Sequence, residues 1–314
     1  MADLSRDRGQ LILVGGFVIA VTFVALALIL NSVIFTENLA TRGESIGGSG
    51  GAETRDIVDE ATGELIAHAN AHNNTEDAFP AQNVSAGVAD LDTALGSQLA
   101  AQGQILDVRY VETVNGTRIA HNDTTQPFVA ADGSADWSVQ SGVEQVRDVG
   151  LNVSRASLAT GSPGSCSGCF EVTFSDGADD WSVRIYDDGS EVAVTSYVNG
   201  NPEGTCTTPG PTAEINVTTG VVGDRECQPL LFGEGLDRTS TLDVSIDNGD
   251  QAAGRYSLVT DASPSLLGAL LDGPGSSGSP RETYAVYSTD VIVDYQTGTT
   301  NYNATVRVAP GEPR

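Results

Sequence analysis

The sequence predicts an N-terminal transmembrane α-helix and an α+β ectodomain, with two amphipathic helices as a neck and an antiparallel β-sandwich-like head. Three observations predict this fold class. Residues 11–35 are apolar and uncharged, two segments within 52–103 repeat apolar residues with a helical period, and short alternating stretches follow from Ile105. The predicted domains are a leader (1–8), a transmembrane or assembly helix (9–36), a helical neck (37–103) containing a Gly-rich linker (47–51), and an extracellular β-rich head (104–314).

The apolar stretch has the length and composition of a membrane-spanning helix. It carries no charge, and its only polar residues are Thr22, Asn31 and Ser32. A helix of this length extends about 38 Å, which exceeds a hydrocarbon core of roughly 30 Å. We therefore expect contact with membrane lipid and a single-pass protein in the cell membrane, with a cytoplasmic N-terminus and an extracellular C-terminal domain.

Two amphipathic helices are predicted behind this stretch. The first covers about 51–72, and its expected apolar stripe consists of Ile57, Ala61, Leu65, His68 and His72. The second covers about 83–103, and its expected stripe consists of Val84, Val88, Leu91, Leu95 and Leu99.

From Ile105 onward the apolar residues alternate with a period of two, which predicts ten or more short strands. Asn115-Gly116 predicts a hairpin turn, and Asp187-Asp188-Gly189 predicts another. Residues 263–280 are an insertion with a short apolar helix and a Gly/Ser-rich loop. Strands without alternating helices favour antiparallel sheets.

The charge distribution predicts a halophilic protein. Forty-two acidic residues face fifteen basic ones, for a net charge of −27, and every basic residue is Arg. At multimolar salt the Debye length is about 3 Å or less, so the repulsion between these charges nearly vanishes. The alternative is an acidic domain from a GC-rich mesophile. The same charge excludes nucleic acid as a partner, because no basic stripe is present to contact phosphates.

Sequons and cysteines both favour an external domain. The number of basic residues on the two sides of the span does not orient the chain in the membrane, because two arginines precede the span (Arg6 and Arg8) and two follow it (Arg42 and Arg55). Seven Asn-x-Ser/Thr sequons are candidate glycosylation sites: Asn73, Asn83, Asn115, Asn122, Asn152, Asn216 and Asn303.

Four cysteines, Cys166, Cys169, Cys206 and Cys227, predict two disulfides outside the cell, with three connectivities open. A zinc site is the alternative, although Cys206 and Cys227 supply no second CxxC, and a redox-active CxxC is a weaker one.

Candidate catalytic and metal sites are weak. His68 and His72 stand four residues apart with Glu64 one turn earlier, a spacing that can hold a metal, but both continue the apolar stripe. The run 164–168, GSCSG, imitates a nucleophile elbow around Cys166 without the strand and helix that this motif needs. Asp179-Asp180, Asp187-Asp188 and 247–250 resemble calcium-loop fragments, but hairpin turns explain them better. We expect no enzyme and no cofactor.

The N-terminus resembles the start of haloarchaeal archaellins and of archaeal type IV pilin-like proteins. The resemblance rests on Asp7-Arg8-Gly9-Gln10 followed by the apolar stretch, and it implies cleavage by a prepilin peptidase between Arg8 and Gly9. The retained segment 9–36 would then contact other pilin-like subunits. Leu11-Ile12-Leu13 departs from the Gly-rich start of archaellins, and the head is large for a major filament subunit, so a minor or accessory subunit is expected.

The chain also resembles, over nearly its full length, a haloarchaeal family of unknown function whose genes lie near pilin-like genes. This resemblance rests on residues 8–42, on NVSRASLA (152–159) and on TVRVAPGEP (305–313). The expected function is a non-enzymatic cell-surface protein, an accessory pilin-like subunit. The alternatives are a single-span surface protein that binds a sugar, a cation or a protein, and a surface hydrolase that uses Cys166 or His68.

Overall fold

The computed structural model describes residues 49–314 apart from 73, 167, 238, 265–270, 274–277 and 314. Thr54–Arg314 form one compact unit; of the other, Met1–Glu53, only residues 49–53 are described. The described residues contain helices α1 (Ser49–Asn70) and α2 (Ala78–Ala100) and strands β1 (Ile105–His121), β2 (Trp137–Val143), β3 (Val146–Ser154), β4 (Phe170–Ser175), β5 (Asp180–Asp187), β6 (Val192–Val198), β7 (Asn201–Thr208), β8 (Thr212–Asn216), β9 (Val221–Val222), β10 (Arg225–Glu226), β11 (Leu242–Asp247), β12 (Gly254–Thr260), β13 (Arg281–Gln296) and β14 (Asn301–Val308).

The strands form two antiparallel sheets. The larger has the order β10-β9-β8-β3-β12-β1-β13-β14, and the smaller has the order β2-β11-β4-β5-β6-β7. The sheets share one hydrophobic core. Leu151 and Leu258 of the larger sheet and Phe174, Trp181 and Val183 of the smaller sheet are all buried in it. The side chains in between point to the opposite faces, because successive residues of a strand alternate.

The two helices pack on the larger sheet through a second core. Val58 and Ile66 of α1 and Val88 of α2 are buried there with Val293 of β13 and Val308 of β14. The stripe predicted for α2 is confirmed. The stripe predicted for α1 is wrong by one position: Val58, Thr62 and Ile66 are buried, whereas Ile57, His68 and His72 are exposed. Because Thr62 is polar, the pattern of apolar residues did not indicate that the face containing it is buried.

Two asparagines fix the end of α1 to the edge of β13 that β14 leaves open. Asn70 Nδ2 donates to Val286 O at 2.8 Å, and Val286 N donates to Asn70 Oδ1 at 2.8 Å. Asn74 Nδ2 donates to Tyr284 O at 3.1 Å, and Tyr284 N donates to Asn74 O at 3.3 Å. These bonds replace those of a neighbouring strand, so the helices belong to the β unit.

The predicted fold class is therefore wrong for the described chain, which is mostly β-sheet with helices that are packed on it rather than standing apart as a neck. No helix among the described residues is long and apolar enough to cross a membrane. The segment 9–36 lies outside the described residues. Because no such helix is found among the described residues, the predicted single-pass location in the cell membrane is corrected together with the fold class. Residues 49–51 of the predicted Gly-rich linker are helical, because α1 begins at Ser49, and Gly47 and Gly48 lie outside the described residues.

The predicted hairpin at Asn115-Gly116 is wrong, because β1 runs straight through both residues. Gly116 pairs with Ala285 of β13, next to a shift of register between Val114 and Asn115. A Cβ atom at Gly116 would lie 2.1 Å from Thr260 O. Glycine is needed here for a close approach of β1 to β12, and not for a turn.

The prediction of ten or more strands after Ile105 is confirmed, since the described residues contain 14. The Asp187-Asp188-Gly189 turn joins β5 to β6, and Gly189 has a φ of +99°, a conformation that favours glycine. In the predicted insertion, residues 265–270 and 274–277 lie outside the described residues.

We expect Gly116→Ala to lower the free energy of unfolding by about 1 to 3 kcal/mol, because the added methyl group forces β1 and β12 apart. Gly150→Ala in β3 is the matched control, since no atom lies within 4 Å of a Cβ placed there. Chemical denaturation of both variants measures the difference. Equal stability of the two variants would contradict the close approach.

Candidate functional site

The residues predicted from sequence do not come together at one place. Arg8, Gly9 and Asn73 lie outside the described residues. Four sequon asparagines are exposed, namely Asn83, Asn115, Asn122 and Asn303, whereas Asn152 and Asn216 are partly buried. Glycosylation of these sites stays a prediction.

The four cysteines form two disulfides, Cys166–Cys169 and Cys206–Cys227. This confirms the predicted disulfide bonding and selects one of the three connectivities. The second bond joins β7 of the smaller sheet to the residue that follows β10 of the larger sheet, and closing a loop of this length contributes about 3 kcal/mol. Two disulfides are consistent with an extracellular protein. Because Cys166 Sγ is bonded, the nucleophile that the GSCSG hypothesis requires is absent.

His68 lies in the last turn of α1 and His72 two residues beyond its end, and both side chains are exposed. Their rings are 5.0 Å apart, and His72 Nδ1 lies 2.9 Å from His68 O. The third histidine, His121, is fully buried between Phe128 and Tyr256, and burial lowers its pKa although hydrogen bonds to backbone carbonyl oxygens of Asp123 and Gln126 act to raise it. Within the described residues, no group of three or more His, Cys, Asp or Glu is placed to hold a metal ion.

The acidic turns bind their own backbone. Asp188 Oδ1 accepts from Ser190 N at 2.8 Å and from Glu191 N at 2.7 Å. Asp176 Oδ1 accepts from Asp179 N at 2.8 Å in the β4–β5 turn. Hydrogen bonds of this kind lower the pKa of both carboxyls. These carboxylates therefore stabilise hairpin turns.

The most highly bonded polar cluster was not found from sequence. It joins β3 and β13 to the C-terminal residues, and we call Arg147, Tyr287, Arg307, Pro310 and Glu312 the C-terminal latch. Arg147 is 2% exposed. Its Nε donates to Tyr287 O at 2.7 Å, its Nη1 to Pro310 O at 2.6 Å, and its Nη2 to Val286 O at 2.8 Å.

Glu312 completes the latch. Its two carboxylate oxygens accept from Arg307 Nη1 at 2.6 Å and Nη2 at 3.0 Å, and its Oε1 also accepts from Tyr287 Oη at 3.0 Å. Burial alone would raise the pKa of Glu312, but the hydrogen bond and charge of Arg307 outweigh it, so the pKa is lowered. Burial, followed by the negative charge of Glu312, raises the pKa of Tyr287.

A cavity of about 250 Å³ lies beside the latch, and Gln145, Phe232, Leu236, Tyr287, Arg307 and Glu312 are among its lining residues. Arg307 and Glu312 are paired with each other, and Arg307 Nη2 also donates to Gln145 Oε1 at 3.0 Å. Because these groups already bond one another, the arrangement holds the C-terminal residues in place and offers little to a substrate.

The other candidate is an open groove of about 440 Å³ on the larger sheet, on the face that points away from the smaller sheet. We call it the outer groove. Its floor contains Gly150 of β3 and Ser257 of β12, which pair directly. Its sides include Arg118 of β1, Arg255 of β12, Asn152 of β3 and Glu214 and Asn216 of β8. Three sequon asparagines, Asn122, Asn152 and Asn216, therefore line one surface, although they are far apart in sequence.

Comparison with known proteins gave one finding. The chain is similar over residues 5–150 to a family of unknown function, DUF7261. This match extends from the predicted leader through both helices into β3. No curated protein and no solved structure matched the chain.

We expect Glu312→Gln to lower the free energy of unfolding by about 1 kcal/mol at pH 7, because the charged hydrogen bonds to Arg307 are lost. The folded-state pKa of Glu312 is lowered, so its contribution is present above the unfolded pKa and is lost as the pH falls through the folded pKa. The difference between variant and wild type therefore begins to shrink as the pH falls towards the ordinary glutamate pKa of about 4.3, and it vanishes only below the lowered folded-state pKa.

Denaturation curves between pH 3 and pH 8 check this expectation. Glu144→Gln is the matched control, because Glu144 lines the same cavity and its side chain makes no hydrogen bond or ion pair within the described residues. A pH-independent effect of Glu312→Gln, or an equal effect of Glu144→Gln, would rule out the ionic latch.

Proposed function

We propose that this protein is a non-enzymatic, extracellular accessory subunit of a pilin-like assembly in a halophilic archaeon. The extracellular location is supported by two disulfides in the unit Thr54–Arg314, because such bonds persist in oxidising compartments. The halophilic origin rests on the net charge of −27 and on the absence of Lys.

The accessory role rests on the N-terminal sequence. Asp7-Arg8-Gly9-Gln10 precedes an uncharged apolar stretch, and cleavage between Arg8 and Gly9 would keep that stretch on the mature protein. Residues 9–36 would then contact the corresponding segments of other pilin-like subunits. The large two-sheet unit supports an accessory rather than a major subunit, since a filament core repeats one small contact many times.

Binding of a ligand by the two-sheet unit is the second candidate function. The outer groove favours it, because its volume of about 440 Å³ lies within the range of about 300 to 1,000 Å³ typical of ligand sites. A hydrolase is the third candidate function. Because Cys166 is bonded to Cys169, the one catalytic residue that remains for this candidate is His68, which is exposed on α1.

Mass spectrometry of the mature protein from the cell-surface fraction tests the first candidate. We expect an N-terminus at Gly9 in wild-type cells and an uncut leader in cells that lack the prepilin peptidase. A matched pair of variants, Arg8→Ala and Arg6→Ala, tests whether cleavage requires the arginine at the junction or only a basic N-terminal segment. We expect Arg8→Ala to block cleavage and Arg6→Ala to leave it intact. A mature N-terminus at Met1 or Ala2 in wild-type cells contradicts the proposal.

A further inference from the structure

The arginines of this protein fall into two groups. The structure describes ten arginine side chains, and six of them pair with a carboxylate within 4 Å. Arg147 donates to three carbonyl oxygens. The side chains of the other three, Arg118, Arg255 and Arg281, form no hydrogen bond or ion pair within the described part of the chain. In a protein with 42 acidic residues, three unpaired arginines stand out.

These three arginines lie on one face of the larger sheet, with Arg281 beside Arg118 and Arg255 about four strand positions further along. Arg118 and Arg255 both line the outer groove. Arg281 pairs across the sheet with Ala120, two positions along β1 from Arg118, on the same face. Their sequence positions, 118, 255 and 281, are far apart, so antiparallel pairing of β1 with β12 and β13 assembles the cluster.

The cluster is incompletely satisfied. Arg281 Nε is buried and has no hydrogen-bond partner among the described residues. Burial lowers the pKa of Arg118; the charge of Asp148 raises it, and the like charge of Arg281 lowers it further. A partly buried arginine without a hydrogen-bonded carboxylate is costly even with a charge such as Asp148 nearby, and an anion bound by Arg118 relieves that cost.

The rest of the outer groove bears groups that suit hydroxyls. Asn122, Asn152, Asn216 and Ser257 can donate and accept hydrogen bonds, and Glu214 accepts from Asn152 Nδ2 at 3.3 Å. Space above Gly150 is open, because no atom lies within 4 Å of a Cβ placed there. The one aromatic lining residue, Tyr256, is only 5% exposed, so stacking on a ring contributes little.

We propose that the outer groove binds an acidic saccharide chain, with separate carboxylates held by Arg118 and by Arg255 and its hydroxyls bonded by the asparagine amides and Ser257. Arg281 supports the site by adding positive charge behind Arg118. An open groove accepts an extended chain of sugars, whereas a closed pocket would accept one sugar. This proposal does not depend on cleavage at Arg8, so either proposal can fail without the other.

Calorimetric titration of the full-length protein with trigalacturonate tests the proposal, with the neutral galactotriose as the matched ligand. The protein is produced without N-glycosylation, so that no glycan of its own fills the groove, and is kept at the lowest salt concentration that preserves the fold. We expect trigalacturonate to bind at least tenfold more tightly than galactotriose, because only the acidic sugar can form charged hydrogen bonds with the arginines.

Three variants complete the test. Arg118→Gln and Arg255→Gln should each weaken trigalacturonate binding about tenfold or more. Arg109→Gln, on the same strand but paired with Asp107 outside the groove, should leave binding unchanged. Arg255 is exposed, so its variant stays informative if Arg118→Gln destabilises the fold. No binding of trigalacturonate, equal binding of galactotriose, or equal effects of Arg109→Gln and Arg255→Gln would overturn the proposal.

Discussion

The buried guanidinium of Arg147 is the constraint on which the arrangement of the larger sheet depends. Its three donors reach three carbonyl oxygens, on Val286, Tyr287 and Pro310, that belong to segments more than 100 residues away. Val286 O is shared with Asn70, so the same carbonyl joins β3, β13 and α1. Without Arg147, Val286 O would keep Asn70 as a donor, but Tyr287 O would lose this buried hydrogen bond, at a cost of about 1 to 3 kcal/mol.

The local sequence pattern predicted strands, but it could not predict contacts between residues that are far apart in the sequence. The β4, β5 and β6 strands and the Asp187-Asp188-Gly189 turn follow from alternation and turn chemistry, both of which act over a few residues. Asn115-Gly116 has the same turn chemistry, but it lies inside β1 because Gly116 must pass close to Thr260 O. A turn dipeptide such as Asn-Gly cannot reveal the contact between Gly116 and Thr260, because these residues are 144 positions apart in the sequence.

The candidate sites were harder to predict for the same reason. Arg118, Arg255 and Arg281 reach one face of the larger sheet only through strand register, and Arg147 has no sequence mark that separates it from a surface arginine. In α1 the helical period was right but the phase was not, because Thr62 occupies a buried position that apolar patterning assigns to solvent. The cysteines were predictable as a set, and their pairing needed the positions of β7 and Cys227.

The free energy of unfolding of Arg147→Met, measured together with hydrogen exchange of the residues 303–313, tests the role of Arg147 most directly. Methionine fills much of the same space without donating a hydrogen bond. Leaving three carbonyls without this donor should lower the free energy of unfolding by about 3 kcal/mol or more and speed exchange in the C-terminal residues. Arg109→Met is the control. A loss below about 0.5 kcal/mol, with exchange unchanged, would contradict the account.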